Sequence, residues 1–431
     1  MAEIKPFRGT FYNPEAISDP ADVLAPPYDI IDNDGKQVLA NRSPYNIVRL
    51  ILPQSSEERE FWNTSAGLFE DWKRQGILIN DRATCLYAYR QTFNLPGSGS
   101  FSRLGILTAL KCKDFSSGEV LPHEKTFSRT RDERLKLLRA CRANFSQVFM
   151  TFRDHNEKAA DLLLKTTGND VFMQFDDDEG THHQLWRIAQ PDNIEALKSL
   201  LFDQSMIIAD GHHRYETALA YSKEINPNGQ RDSAAGYVCA TIFRSEDPGL
   251  IILPVHRVLR CLPPSWPEER EKLAHFFELQ EMPQASGSLE GAGKMLEGIK
   301  RAALIMVTSQ SVIRMILKKG VDLKEIVKGP ESKKWKSLDI SILHSLVLEQ
   351  CLNLDADDLA EKGELYFTPW EGVARKGVAA GKAEACFLVR ATRIEDIWEI
   401  AEGGERMPPK SSYFYPKLPS GLMIYDHRNA F

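Results

Sequence analysis

Ser205-Met206-Ile207-Ile208-Ala209-Asp210-Gly211-His212-His213-Arg214-Tyr215-Glu216-Thr217-Ala218 is the stretch from which the fold is read. Ser205 to Ala209 is a short apolar run of strand length, bounded by polar residues. Asp210-Gly211 ends it, since glycine turns the chain tightly and an aspartate caps a following helix. From His212 to about Ile225 the pattern becomes helical, with Ala218, Leu219 and Tyr221 available for packing. A strand, a glycine turn and a helix in direct succession form a junction typical of chains that alternate β and α elements.

The chemistry of such a junction follows from its backbone. The first turn of a helix leaves amide N–H groups unpaired, and the helix dipole adds partial positive charge there. Phosphates bind at that point. Gly211 lets the main chain approach a ligand, Arg214 offers a two-pronged fork to phosphate oxygens, and Asp210 is placed to cap the helix or to hold Mg2+. His212 and His213 diverge from the helix start, one able to face a ligand while the other braces the turn. The plainer alternative is an Asp-capped helix with a polar first turn. Zinc ligation by the adjacent histidines is disfavoured, because no His-x-x-x-His spacing accompanies them.

Outward from this junction, Ile47 to Leu52 reads as a β-branched strand, Glu57 to Gln75 as a helix with Phe61, Leu68, Phe69 and Trp72 on one side, and Cys85–Phe93 with Arg103–Leu110 as a hairpin. Thr130 to Asn144, Asp154 to Lys165 and Asp192 to Phe202 read as helices, and Val171–Phe175 with Gln184–Ile188 as a second strand pair. Tyr237–Phe243 and Leu250–Val258 read as strands. Residues 266–305 read as mostly helical, Gly372 to Gly381 as a flexible turn, Ser341–Leu352 and Ile394–Ala401 as helices, and Ala303–Thr308 and Ala385–Val389 as strands. The fold class expected is α/β to α+β around a mixed sheet, in three regions: 1–120, a core at 121–262, and 263–431.

Composition bounds the function. The 431 residues carry a formal net charge of -6 with 26% charged and 42% hydrophobic residues, which argues against a dedicated nucleic-acid binder and fits a soluble globular chain. Seven cysteines, none in a Cys-x-x-Cys spacing, point to reduced thiols rather than a disulfide framework or zinc site. Met1 to Thr10 lacks an apolar segment of the secretory type, and no run of about 18 apolar residues occurs, so a cytoplasmic protein without a membrane partner is expected. Neither a Walker-type loop, nor a protein-kinase signature, nor a Gly-x-Ser-x-Gly elbow is present.

Three other constellations carry chemistry. Pro122-His123-Glu124-Lys125-Thr126 sets an imidazole beside a carboxylate, a pairing suited to proton transfer, though a polar surface turn reads equally well. Pro254-Val255-His256-Arg257 puts His256 and Arg257 at the end of the strand beginning at Leu250, where side chains of α/β proteins often line a site. Met407 to Gly421 holds Lys410, Ser411, Ser412, Tyr413, Tyr415 and Lys417 among four prolines. That is either an anion-binding loop stiffened by proline or a rigid strap packed on the core.

The run from Asp210 to Ala218 resembles the phosphate-binding box of the ParB/sulfiredoxin superfamily, in which Gly-x-x-Arg follows a strand and opens a helix. The Asp-Gly-His-His-Arg form is most similar to that of the free-serine kinases. Sulfiredoxin carries its catalytic cysteine at the position of His212, so its redox chemistry is not implied. A wider resemblance spans nearly the whole chain. Ala25-Pro26-Pro27-Tyr28-Asp29, Asn46, Leu121 to Thr126, Ala209 to Ala218, Pro254 to Arg257 and Met407 to Lys417 are similar to blocks of the bacterial and archaeal family known as domain of unknown function 1015.

These resemblances imply a ParB/sulfiredoxin-like core with added N- and C-terminal elements, and a nucleotide-dependent phosphotransferase acting on a small hydroxylated metabolite such as free serine. In that reading Gly211, His213, Arg214, Lys410, Ser411 and Lys417 hold the phosphates of ATP, ADP or another nucleotide. Glu124, His123, Asp210 and His212 supply catalytic groups, and Asp210 holds Mg2+. Tyr28, Asp29, His256 and Arg257 complete the candidates. The alternatives are a ParB-type nucleotide-binding regulator without catalysis and a phosphomonoester or nucleotide hydrolase at the same place.

Overall fold

The computed structural model describes residues 2–53, 58–125, 128–227, 232–263, 266–282 and 292–431. The chain forms two compact units: Met1–Pro122 with Thr126–Ile251 and Phe414–Phe431, and His123–Lys125 with Ile252–Tyr413.

The strands of the first unit are β1 (Ile4–Lys5), β2 (Thr10–Tyr12), β3 (Leu78–Asn80), β4 (Leu86–Leu95), β5 (Gly99–Lys111), β6 (Val120–Pro122), β7 (Ala143–Asn144), β8 (Val148–Phe152), β9 (Met173–Asp176), β10 (His182–Ile188), β11 (Met206–Asp210) and β12 (Tyr237–Arg244). Nine of them form one sheet in the order β6-β11-β8-β12-β5-β4-β10-β9, with β1 added on β5. β6 runs parallel to β11 and β8 parallel to β12, while the other pairings are antiparallel, so the sheet is mixed.

Alternation along the strands sorts side chains onto two faces. One face carries Leu86, Ala88, Ile106, Leu110, Val148, Met150, Met206, Ile208, Val238 and Ala240. Three helices cover it: α5 (Lys158–Thr166), α6 (Pro191–Phe202) and α7 (His212–Ile225), which contribute Leu163, Leu197, Leu201, Tyr215 and Ala218. At roughly 1.5–3 kcal/mol per large apolar side chain buried, this layer is the main source of cohesion in the unit. The opposite face carries Tyr89, Gln91, Arg103, Phe149, Thr151 and Phe243, all buried. β8 and β11 are therefore buried on both faces, which is why apolar residues dominate their sequences.

The remaining helices of this unit are α1 (Asn33–Arg42), α2 (Val48–Ile51), α3 (Glu58–Arg74) and α4 (Ser128–Cys141). The expected strand at Ile47–Leu52 is thus a helix. Ile47, Val48, Leu50 and Ile51 are buried while Arg49 is less so, a helical spacing that β-branched composition obscures. The Asn46 side chain caps the turn by accepting from the Val48 amide at 3.0 Å, and its own amide bonds the carbonyls of Asp22 and Leu24. Glu57, expected to open α3, and Thr126 lie outside the described residues.

The second unit has an antiparallel sheet of β14 (His256–Leu259), β15 (Phe277–Met282), β16 (Ala303–Thr308), β17 (Val312–Leu317), β18 (Leu365–Thr368) and β19 (Ala385–Leu388), in the order β15-β17-β16-β19-β14-β18. Residues 266–305 hold the helices Trp266–Phe276 and Ala292–Leu296, but the first gives way at once to β15, whose partner is β17. Residues 283–291 of that expectation lie outside the described ones. The stretch expected to be a single strand from Leu250 breaks at Pro254 into β13 (Ile251–Leu253) and β14, since proline cannot donate to a ladder. The expected turn at Gly372–Gly381 is mostly helix Glu371–Ala379. A Cβ at Gly377 would lie 2.5 Å from the Tyr366 hydroxyl, so glycine serves there for close packing against β18 rather than flexibility. The helix expected over Ser341–Leu352 forms as Asp339–Ile342 and widens into a π-helix at Leu343–Cys351.

Candidate functional site

In the first unit, β11 and β8 lose register between Ile208 and Asp210. Bulges of this kind re-aim a side chain at the end of a strand. The side chain here is Asp210. Gly211 follows in the left-handed region, at φ 93 and ψ 31, and α7 begins with His212. The glycine is required for a second reason. A Cβ on it would lie 2.9 Å from the Nε and Cζ of Arg214, because that guanidinium folds back over the turn.

Arg214 donates from Nη2 to Asp210 Oδ2 at 2.5 Å and from Nη1 to the Gln147 carbonyl. The other carboxylate oxygen of Asp210 accepts from Lys417 Nζ. The three side chains are nearly enclosed, at 11% exposure for Arg214, 16% for Asp210 and 11% for Lys417. Two cations thus share one carboxylate beside the amino end of a helix, leaving an excess of positive charge at a place that already favours anions.

Lys417 reaches Asp210 because a buried arginine pins its segment. Arg103 lies at the back of the sheet between Phe149 and Phe243, with its Cζ 4.6 and 4.8 Å from their ring centroids. It donates to Gln91 Oε1 at 2.9 Å, to the Tyr415 carbonyl at 3.0 Å and to the Pro416 carbonyl. Gln91 in turn donates to the Lys417 carbonyl at 3.3 Å. Burial pushes the Arg103 pKa down, yet a guanidinium remains protonated and needs these acceptors.

The neighbouring cavity, about 60 Å3, is lined by Tyr28, Arg134, Asn144, Ser146, Arg214 and Thr217 among others. At 10–15 Å3 per water it has room for a few waters or a small anionic group. Arg134 stacks over Tyr28, 4.3 Å from the ring centroid, and donates to the Ile51 carbonyl at 2.8 Å. Burial, aided by the Asp29 carboxylate, holds the Tyr28 hydroxyl above its ordinary range, so it is a neutral donor. The 25–29 block is tied in through Ser420. Its amide bonds the Ala25 carbonyl at 2.7 Å, and its hydroxyl shares a 2.7 Å hydrogen bond with that of Ser146.

The sequence candidates therefore divide. Tyr28, Asp29, Asp210, Gly211, His212, His213, Arg214 and Lys417 belong to the first unit, with His212 buried and Asp29 exposed. His123, Glu124, His256, Arg257, Lys410 and Ser411 belong to the second. There His123 Nε2 meets Ser412 Oγ at 2.7 Å. Glu124 Oε1 accepts from the amides of Ser411 and Ser412 at 3.0 and 2.8 Å and from Ser412 Oγ at 2.8 Å. Lys410 precedes them with φ 56. His256 and Arg257 do not close an exposed strand end. They open β14 and are buried, at 3% and 0% exposure. His256 Nδ1 accepts from the Val389 amide at 3.3 Å, and burial lowers its pKa to about 4, so it is neutral. Arg257 donates to His344 Nε2 at 3.1 Å and to the carbonyls of Val255 and Pro409.

Sequence reading did not single out Arg103, Gln91 or Gln147; Arg134 was legible as part of the charged run after His123-Glu124. Arg103 was detectable: it shares its strand face with Gly105, Leu107 and Ala109, so a charge there points inward.

The molecule is thus a mixed-sheet α/β protein that carries a basic, glycine-turned helix start. The chain belongs to the family described as Protein of unknown function (DUF1015), whose model matches residues 4–341. No curated protein matches it. Among solved structures it is similar to a free serine kinase in complex with AMP, at 14% identity over 70% of this chain and 88% of that one, with a TM-score of 0.37. A mutant free serine kinase in complex with ADP aligns at 13% identity over 70% and 88%, with a TM-score of 0.37. SbnI with C-terminal truncation from Staphylococcus aureus aligns at 9% identity over 72% and 84%, with a TM-score of 0.35. Among the described residues no helix is long and apolar enough to cross a membrane.

Proposed function

We propose that the Gly211 turn binds the phosphates of a nucleotide, ATP or ADP in the first instance, and that the protein transfers a phosphoryl group to a small hydroxylated metabolite such as free serine, from a ParB/sulfiredoxin-like core. The observation that carries this reading is the convergence of Arg214 and Lys417 on Asp210 beside the amino end of α7. Phosphoryl transfer depends chiefly on positioning and charge neutralisation. In this reading the amides after Gly211 take one set of phosphate oxygens, and Arg214 and Lys417 turn from Asp210 to the others. Asp210 holds both cations in place until the ligand arrives. Tyr28 and Arg134 supply further donors from the adjoining cavity.

The residues present do not fit a protein-held Mg2+. Both oxygens of Asp210 already accept from cations, and among the described residues no group of three His, Cys, Asp or Glu side chains is arranged to hold a metal. No step is therefore routed through Mg2+. The engagement of Asp210 also favours a second reading, a nucleotide-binding regulator without turnover, because it leaves that carboxylate committed as a counter-ion rather than a base.

The test is incubation of the full chain with γ-labelled ATP and a panel of amino and hydroxy acids. Label on an acceptor supports transfer, phosphate released without acceptor supports hydrolysis, and saturable binding without turnover supports the regulator. Arg214→Ala is expected to weaken nucleotide binding by about tenfold to a hundredfold, the worth of one charged hydrogen-bonding partner. Unchanged binding in that variant removes the site from all three readings.

A further inference from the structure

We infer that the second unit contains a separate binding site for a small organic phosphate carrying two or more negative charges. This inference is independent of the nucleotide reading at Gly211. It rests on a cavity of about 800 Å3 lined entirely by residues between Ile299 and Ser411. That volume lies in the range of about 300–1,000 Å3 typical of small-molecule sites.

The lining is strongly biased. Lys300, Arg301, Lys318, Lys319, Arg390 and Arg393 surround the space, and Lys334 adds a seventh cation. Two carboxylates, Asp339 and Asp396, line the space with them, and Glu278 and Glu399 pair with Arg301 and Lys334 from outside it. A chain whose formal net charge is -6 thus gathers seven cations against four carboxylates, a local excess of three positive charges, in one concavity. Such concentration raises the local density of anions, and low-dielectric walls focus the field.

The two carboxylates are already committed. Asp339 accepts the fork of Arg390, at 2.6 Å from Nε and 2.7 Å from Nη2. Asp396 takes Arg393 at 2.7 Å and Lys334 at 2.6 Å. Arg301 pairs with Glu278 at 2.6 Å, and the Lys318 ammonium donates to the Ala274 carbonyl at 2.6 Å. Lys300 and Lys319 remain on the rim, exposed and without an ion pair among the described residues. The uncompensated charge therefore sits where a ligand's phosphates would arrive.

The floor has a different chemistry. Leu338, Ile340, Ile342 and Val389 line it and are otherwise buried. An apolar floor below a basic rim suits a molecule with a compact carbon body and charged ends. A nucleic acid would call instead for a stripe that tracks a backbone.

The test is calorimetric titration of the full chain with fructose 1,6-bisphosphate, with inorganic phosphate and with unphosphorylated fructose. Saturable binding of the bisphosphate, weaker binding of phosphate and none of fructose are expected. Lys300→Ala with Lys319→Ala is expected to weaken the bisphosphate by about tenfold per lysine, from the loss of one charged contact each. Lys300→Arg with Lys319→Arg keeps the charge and is expected to restore most of the affinity. Arg214→Ala is expected to leave the bisphosphate unaffected, which separates this site from the Gly211 turn. No bisphosphate binding tighter than about 10 mM overturns the inference. Binding indifferent to both lysines, binding abolished by Arg214→Ala, or displacement by a single-stranded oligonucleotide at lower concentration would each overturn it as well.

Discussion

Replacing Gly211 with alanine tests whether the turn and Arg214 form one device. Gly211 sits at φ 93, ψ 31, where a residue with a Cβ loses roughly 1–2 kcal/mol. The added methyl would also stand 2.9 Å from Arg214 Cζ and Nε and 3.0 Å from Nη2. A long side chain usually yields to such a contact, but this one is held by Asp210 and by the Gln147 carbonyl. Moving it forfeits at least one charge-assisted hydrogen bond, about 1.5–3 kcal/mol. Gly211→Ala is therefore expected to destabilise the first unit by about 2.5–5 kcal/mol. In an Arg214→Ala background the clash is gone, and the same change should cost only the backbone strain of about 1–2 kcal/mol. The assay is a double-mutant cycle by urea unfolding, following the transition of the first unit. Additive effects, with a coupling below about 0.5 kcal/mol, would refute the claim that glycine is there to admit the guanidinium.

Three further expectations follow from the geometry. Arg103→Met removes the donor that pins Tyr415 and Pro416 and strands the Gln91 acceptor. A stability loss of about 2–4 kcal/mol is expected, with faster proteolysis within 414–421, both read on the purified chain. His256 is neutral when folded, with a pKa near 4 against 6.5 for the free side chain, so the unfolded state takes up more protons between those values. Its stabilising contribution is complete above pH 6.5 and falls as pH drops toward 4, by about 3 kcal/mol at most; urea midpoints across that window, compared with His256→Gln, should show a shallower slope in the variant. Glu124→Gln weakens three hydrogen bonds on one oxygen. About 1–3 kcal/mol of stability should be lost, and a loss of phosphoryl transfer far beyond the loss of folded protein would assign Glu124 to chemistry rather than to holding the Ser411–Ser412 turn.

Much of the fold was legible because local periodicity and burial agree. β11 and α7 follow the apolar run and the helical spacing around Asp210-Gly211, and α6, β16 and β19 lie where composition placed them. Reading failed where the two cues diverge. Ile47–Leu52 has the composition of a strand, but burial at 47, 48, 50 and 51 belongs to a helix. Phe277–Met282 follows a glutamate-rich helix without a break, and its pairing with β17 makes it a strand. Glycines 372, 377 and 381 suggested flexibility, whereas Gly377 is small to admit Tyr366.

By itself the sequence determined the strand–glycine–helix junction, since a φ of 93 after a buried strand needs glycine and the amides that follow need an anion or a cap. It also identified Arg214, Tyr28 and Lys417 as side chains with chemistry to offer. Only the tertiary structure decided that Lys417, 207 residues from Asp210 along the chain, shares its carboxylate with Arg214. That pairing depends on Arg103, which is buried, makes no hydrogen bond to a carboxylate among the described residues and so turns to carbonyl acceptors. The ones within reach belong to Tyr415 and Pro416, and they fix where the next lysine points.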